Sequence, residues 1–143
     1  MFLVHLNVHK FTSLLPFPYS GSTAEFLSMW VLMMIGPVPF FINPDSGSLE
    51  MQLTPTLPAW LFQHNPSAIT EEQYYFVNFK LFTSIDVTYY TSQTRDIFRV
   101  APERYEIGLR DGSKVQFDRP TIPTDYALKI RRVVFIDYIH AYF

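Results

Sequence analysis

From Phe26 to Pro44 the chain carries no charged residue, and that run limits what everything around it can fold into. Its first half has helical spacing: Phe26, Met29, Trp30 and Met33 follow the i, i+3, i+4, i+7 pattern. Leu27, Val31, Met34 and Ile35 fill the other faces and leave only Ser28 polar. A helix apolar on every side is enclosed by protein or lies in a membrane. A bilayer span needs roughly 20 apolar residues, whereas Gly36, Pro37 and Pro39 stop this run just after Ile35. The spacing therefore predicts a buried helix over residues 23–35, built to be surrounded by other helices. The rest of the sequence offers none.

The entrance to that helix has its own chemistry. Ser22-Thr23-Ala24-Glu25 matches the S-x-x-E capping box, in which the serine hydroxyl accepts from the N–H three residues on and the glutamate reaches back. Gly21, just before it, lets a ligand or another backbone approach closely. A helix start presents N–H groups and the positive end of the dipole, which suits phosphate or carboxylate. Two readings stand here: an anion seat, or a box already satisfied by Glu25.

Beyond the helix the signals are those of strands. The chain has 143 residues, enough for one domain with a real core, and 14 Phe and 9 Tyr lift its aromatic share to 17%. Residues 43–47, Asn-Pro-Asp-Ser-Gly, form a turn, and residues 49–53 alternate apolar and polar as a half-buried strand does. Pro55 to Trp60 reads as a rigid segment ending in an aromatic anchor. Tyr75, Val77, Phe79 and Leu81 share one face of a strand, and Ile85, Val87 and Tyr89 continue the pattern on the next. Tyr105, Ile107 and Leu109 line another, Asp111-Gly112 predicts a type I′ hairpin turn, and Val115 and Phe117 return. Residues 126–130 suit a helical turn, and residues 132–140 a closing strand. Short strands separated by turns predict a mainly β fold, an antiparallel sandwich or jelly roll preceded by one buried helix.

Several function classes are excluded or disfavoured. Without cysteine there is no disulfide, zinc–thiolate site or Cys nucleophile, a usage that suits a cytoplasmic setting. Net charge is −2 with both signs interspersed, so no nucleic-acid footprint is visible. Residues 1–19 form an irregular leader without the basic start and cleavage site of a signal peptide. His5 and His9 lack the third ligand that catalytic zinc requires, so no metal is expected. Sugar hydrolysis needs two carboxylates across a cleft. The scattered acids suggest no such pair, Glu71-Glu72 reads as a solvated rim, and His64 and His140 have no triad spacing. Trp30, Trp60 and the Tyr-rich strands could stack on sugars, or simply pack a core.

The order of these features resembles a known family. A small-residue turn opens an apolar helix ending in Gly, followed by a turn, an L-x-M-x-L strand, the segment Pro55-Thr56-Leu57-Pro58-Ala59-Trp60 and a run of strands. This resembles the C-terminal end of the inverting glycoside phosphorylases related to cellobiose and chitobiose phosphorylase. The resemblance covers residues 20–60 by motif and the remainder by strand order. It implies that residues 20–36 are the last helix of an (α/α)6 barrel missing here, and residues 37–143 the β-sandwich that follows the barrel. It also implies that Ser20, Gly21, Ser22 and Thr23 contribute to the site of inorganic phosphate, the co-substrate, beside an oligosaccharide. The small-residue turn is one residue longer here than the family's T-G-T form. The family's general-acid Asp, phosphate-binding arginines and His have no counterpart, so the chain reads as the inactive tail of such an enzyme. The alternative is a stand-alone β-sandwich that binds carbohydrate or another protein.

Overall fold

The spine is a six-stranded sheet whose order across is β4-β5-β6-β10-β8-β9. The computed structural model describes residues 20–64 and 74–143. In chain order these are α1 (Ser20–Met34), β1 (Phe40–Ile42), β2 (Leu49–Met51), β3 (Thr56–Leu57), a 3-10 turn (Ala59–Leu61), β4 (Gln63–His64) and β5 (Tyr75–Leu81). Then come β6 (Ile85–Thr91), β7 (Ile97–Phe98), β8 (Arg104–Leu109), β9 (Lys114–Phe117), α2 (Thr124–Arg131) and β10 (Ile136–Tyr142). The leader, the His5/His9 pair and Glu71-Glu72 lie outside the described residues.

The fold is mainly β, with a departure from a purely antiparallel arrangement. β10, read as a closing strand, lies in the middle: it pairs antiparallel with β8 and parallel with β6. The crossover through α2 makes this possible, because a helix can carry the chain back across a sheet where a tight turn cannot. Period-two alternation sets each strand's faces. Tyr75, Val77, Phe79 and Leu81 of β5 turn inward with Ile85, Val87 and Tyr89 of β6. Ile139 and Ala141 of β10 and Tyr105 and Ile107 of β8 complete the inner face, all fully buried. Against it pack Met51, Leu53, Leu57, Ile97, Ile122, Ala127 and Ile130, carried by α2, the loops and the small sheets β1-β2 and β3-β7.

Two buried tyrosines fasten this second layer to the sheet. Tyr89 donates its hydroxyl to the Met34 carbonyl at 2.6 Å, and the Leu53 N–H donates to the Tyr105 hydroxyl at 3.0 Å. Burial pushes both phenols upward, so they remain protonated. Gly36 ends α1 at φ +105°, where a Cβ would collide with Thr54, and the Thr54 N–H donates to the Ile35 carbonyl at 3.0 Å. That position requires glycine.

Other local expectations change on inspection. The 110–113 turn is a hairpin, but only Gly112 has positive φ, so it is a type I turn closed by a left-handed glycine rather than type I′. The left-handed pair is instead Phe82-Thr83 between β5 and β6, at φ 49° and 62°, with no glycine to announce it. Trp60 is no anchor: it is 80% exposed. Glu50, on the expected solvent side of β2, is only 6% exposed, because Arg119 and Asn43 cover it and meet Oε1 at 2.8 and 3.2 Å.

The largest correction concerns α1. It is apolar all round, as expected, but it is not buried. Only its last turn and the following residues dock: Met34 and Ile35 are buried, and Trp30 and Met33 are half-buried. Phe26 is 50% exposed, Met29 66% and Leu32 47%. β3, the 3-10 turn and the edge of the six-stranded sheet meet one side of the helix, and among the described residues the side chains on its other sides stay exposed.

Candidate functional site

Three places hold the residues that could do chemistry. The first is the opening turn of α1, where the four expected phosphate contacts follow one another. Ser20 begins the helix, Gly21 and Ser22 are exposed and Thr23 is half-buried. Ser22 is thus inside the helix rather than ahead of it, which removes the extended backbone an N-cap serine needs. A Cβ at Gly21 would meet nothing within 4 Å, so the space beside this turn is open. The first turn is where a helix has no acceptors of its own for its N–H groups, and its dipole favours an anion there.

The second place is an apolar groove of about 470 Å³ between α1 and the sheet. Phe26, Trp30 and Met33 form one wall and Trp60, Leu61 and Val77 the other. Trp30 meets Phe79 edge-on at 5.7 Å, which fixes the angle of the helix over β5.

The third is the open face of the sheet, where alternation sets Tyr90 beside Tyr142, and His140 beside Glu106. Glu106 is 8% exposed and engaged on both oxygens. Oε1 accepts from the Tyr138 hydroxyl at 2.9 Å, with His140 Nδ1 at 3.7 Å. Oε2 accepts from Gln116 at 3.1 Å, with Lys114 Nζ at 3.6 Å. Burial alone would raise this carboxyl, but Gln116, Tyr138, Lys114 and His140 outweigh it and hold it below its ordinary value. Burial and the neighbouring carboxylate push Tyr138 up to about 12, and desolvation lowers His140. The Tyr138 ring lies over Gly108, where a Cβ would fall inside the ring. A general acid must hold its proton near neutral pH. Glu106 does the reverse: it stays ionised and hydrogen-bonded, which suits it to orienting Tyr138 and His140 rather than to proton delivery.

The rings on this face spend their flat sides on one another. Tyr90 and Tyr142 stack at 5.1 Å with 17° between planes, and the Arg104 guanidinium covers Tyr142 at 4.1 Å. The Tyr90 hydroxyl is hydrogen-bonded to the Thr88 side chain, while the Tyr142 hydroxyl and the edges of both rings remain for a ligand. The signal for this face was present as Tyr138, His140 and Tyr142 at alternate positions, but alternation alone does not say which of two faces meets water. His64 lies elsewhere, tilted against Tyr75 at 5.3 Å. Among the described residues no three His, Cys, Asp or Glu side chains converge as a metal site. No helix among them is long and apolar enough to cross a membrane. Compared with family models, curated proteins and solved structures, the chain matches none.

Proposed function

We propose that this chain is the C-terminal part of a carbohydrate-active, glycoside phosphorylase-like enzyme. In this reading α1 is the last helix of an (α/α)6 barrel, and the strands are the β-sandwich packed beside it. The observation that carries the reading is the surface of α1: Phe26, Met29 and Leu32 are apolar and exposed on a helix whose last turn is firmly docked. A large exposed apolar patch marks an interaction surface. Barrel helices would cover it and would extend over the groove walled by Trp30 and Trp60. The resemblance from the small-residue turn to Trp60 supplies the family.

In the complete enzyme the first turn of α1 would face inorganic phosphate. An oxygen of that phosphate bonds to the anomeric carbon as the glycosidic C–O bond breaks, and an acid protonates the departing sugar oxygen. Ser20, Ser22 and Thr23 would contribute hydroxyls and Gly21 close backbone approach, while the helix dipole favours the anion. The acid, the arginines and most of the sugar site would come from the barrel, so the isolated chain would be inactive.

Complementation tests this. A cellobiose or chitobiose phosphorylase truncated before its last barrel helix, co-expressed with this chain, should regain phosphorolysis. Replacing Phe26, Met29 and Leu32 with serine should abolish the association, and Ser22→Ala with Thr23→Val should raise the KM for phosphate in the reassembled enzyme. A chain that stays monomeric and fails to bind or rescue any such barrel would overturn the proposal.

A further inference from the structure

A separate crevice lies on the open face, at the end of the sheet remote from the β5–β6 turn. It measures about 360 Å³, within the range of small-molecule sites. Its position follows from register. Tyr90, Tyr142 and Arg104 stand side by side on β6, β10 and β8, and Asp118 follows β9 on the far side of Arg104. Tyr74 closes the near side, roughly perpendicular to Tyr90 and Tyr142 at 6.0 and 6.4 Å. Glu103, next to Arg104, completes the rim.

The charges define the ligand. Glu103 and Asp118 are exposed and make no ion pair among the described residues, and the Arg104 guanidinium is engaged over the Tyr142 ring. Two carboxylates against one stacked cation disfavour an anion. A carboxylate accepts from adjacent hydroxyls, a guanidinium donates to ring or hydroxyl oxygens, and a tyrosine hydroxyl does either. Burial raises Tyr90 and Tyr142, so both hydroxyls stay protonated; that of Tyr90 is hydrogen-bonded to the Thr88 side chain, and that of Tyr142 is able to donate.

We infer that this crevice binds a neutral oligosaccharide, with Glu103 and Asp118 accepting from sugar hydroxyls and Tyr90, Tyr142 and Arg104 forming its floor. The inference does not depend on the barrel, because none of these residues lies on α1.

The test titrates the full ¹⁵N-labelled chain with soluble cello- and chito-oligosaccharides, with sodium sulfate as the anionic control. Saturable amide shifts are expected at Tyr74, Arg104 and Tyr142 with a neutral sugar and not with sulfate. The exposed, isosteric pair Glu103→Gln with Asp118→Asn should weaken binding at least about tenfold, with the rest of the spectrum unchanged. No saturable shift, an affinity unmoved in the double variant, or displacement of the sugar by sulfate each overturns the inference. Because the double variant leaves α1 untouched, barrel complementation should be unaffected. The two proposals can therefore fail separately.

Discussion

The two helices of this chain differ in a way that separates forming a helix from finishing one. α2 is short, with Ala127 and Ile130 fully buried and Lys129 and Arg131 in its last turn. Asp125 sits near its start, so its charges also follow the dipole. α1 is nearly twice as long and carries no acid in its first turn and no base in its last. Its apolar side chains point in all directions while only its C-terminal end is docked. α2 has the sequence of a helix that meets one core and water; α1 has that of a helix that meets protein on every side. The exposed part of α1 is thus an apolar surface left uncovered among the described residues.

The contrast breaks most readily at α2. Ile130→Ala should cost about 3 kcal/mol, because truncating a fully buried side chain leaves a cavity in the core. A urea midpoint hardly changed by this substitution would mean that α2 is as loosely held as the exposed part of α1.

Next in size is the carboxylate that ties down the approach to α2. The Thr121 hydroxyl, Arg119 and Asn43 hold Glu50 below its ordinary value of 4.5 against the opposing effect of burial. Arg119 and Thr121 belong to the loop leading into α2, and Thr124 donates its hydroxyl to the Leu49 carbonyl beside Glu50. A carboxyl that titrates lower when folded stabilises fully above its unfolded value and loses that contribution as pH falls through the folded one. Stability should therefore decline below about pH 4.5, with faster hydrogen exchange in α2 than in the docked end of α1. Glu50→Gln should cost about 2 kcal/mol at neutral pH, less than for a wholly enclosed pair because Arg119 is partly solvated. It should also flatten part of the acid slope. Glu106 acts with the same sign, so the slope should not vanish.

These residues show how far the sequence could be read. The inner faces of β5, β6 and β8 and the all-round apolarity of α1 were legible, because both rest on a period that a handful of side chains repeats. The place of β10 was not, since alternation gives a strand's faces and says nothing of its neighbours. Glu50 and Glu106 fall on the polar side of alternating strands, and nothing in that pattern signals their burial, which comes from partners such as Arg119 and Tyr138. Phe82-Thr83 escaped as a left-handed turn because neither residue signals positive φ. For the candidate sites, the small residues at the start of α1 stood out by adjacency. The crevice residues lie far apart in sequence and meet only through the register of β6, β10 and β8.

A smaller effect probes the joint between α1 and the sheet. Tyr89→Phe deletes the hydroxyl that holds the Met34 carbonyl and should cost about 1 kcal/mol. If the last turn of α1 is fastened as the geometry indicates, exchange should speed up there and not in α2. Equal acceleration in both helices would show that the bond supports the whole core rather than the joint.

The smallest expected change in stability is the most informative about α1. Met29→Ser alters a side chain 66% exposed, so the midpoint should move by no more than about 0.5 kcal/mol. Serine is a weaker helix former than methionine, and the residual shift should carry that destabilising sign. The same substitution should nevertheless reduce self-association and binding of a hydrophobic dye, because both respond to the exposed patch rather than to the core. A loss of several kcal/mol would mean that Met29 is already covered in the folded chain, and α1 would then be finished in the way α2 is. Near-neutral stability with improved solubility would instead identify α1 as one half of an interface whose other half is a separate surface.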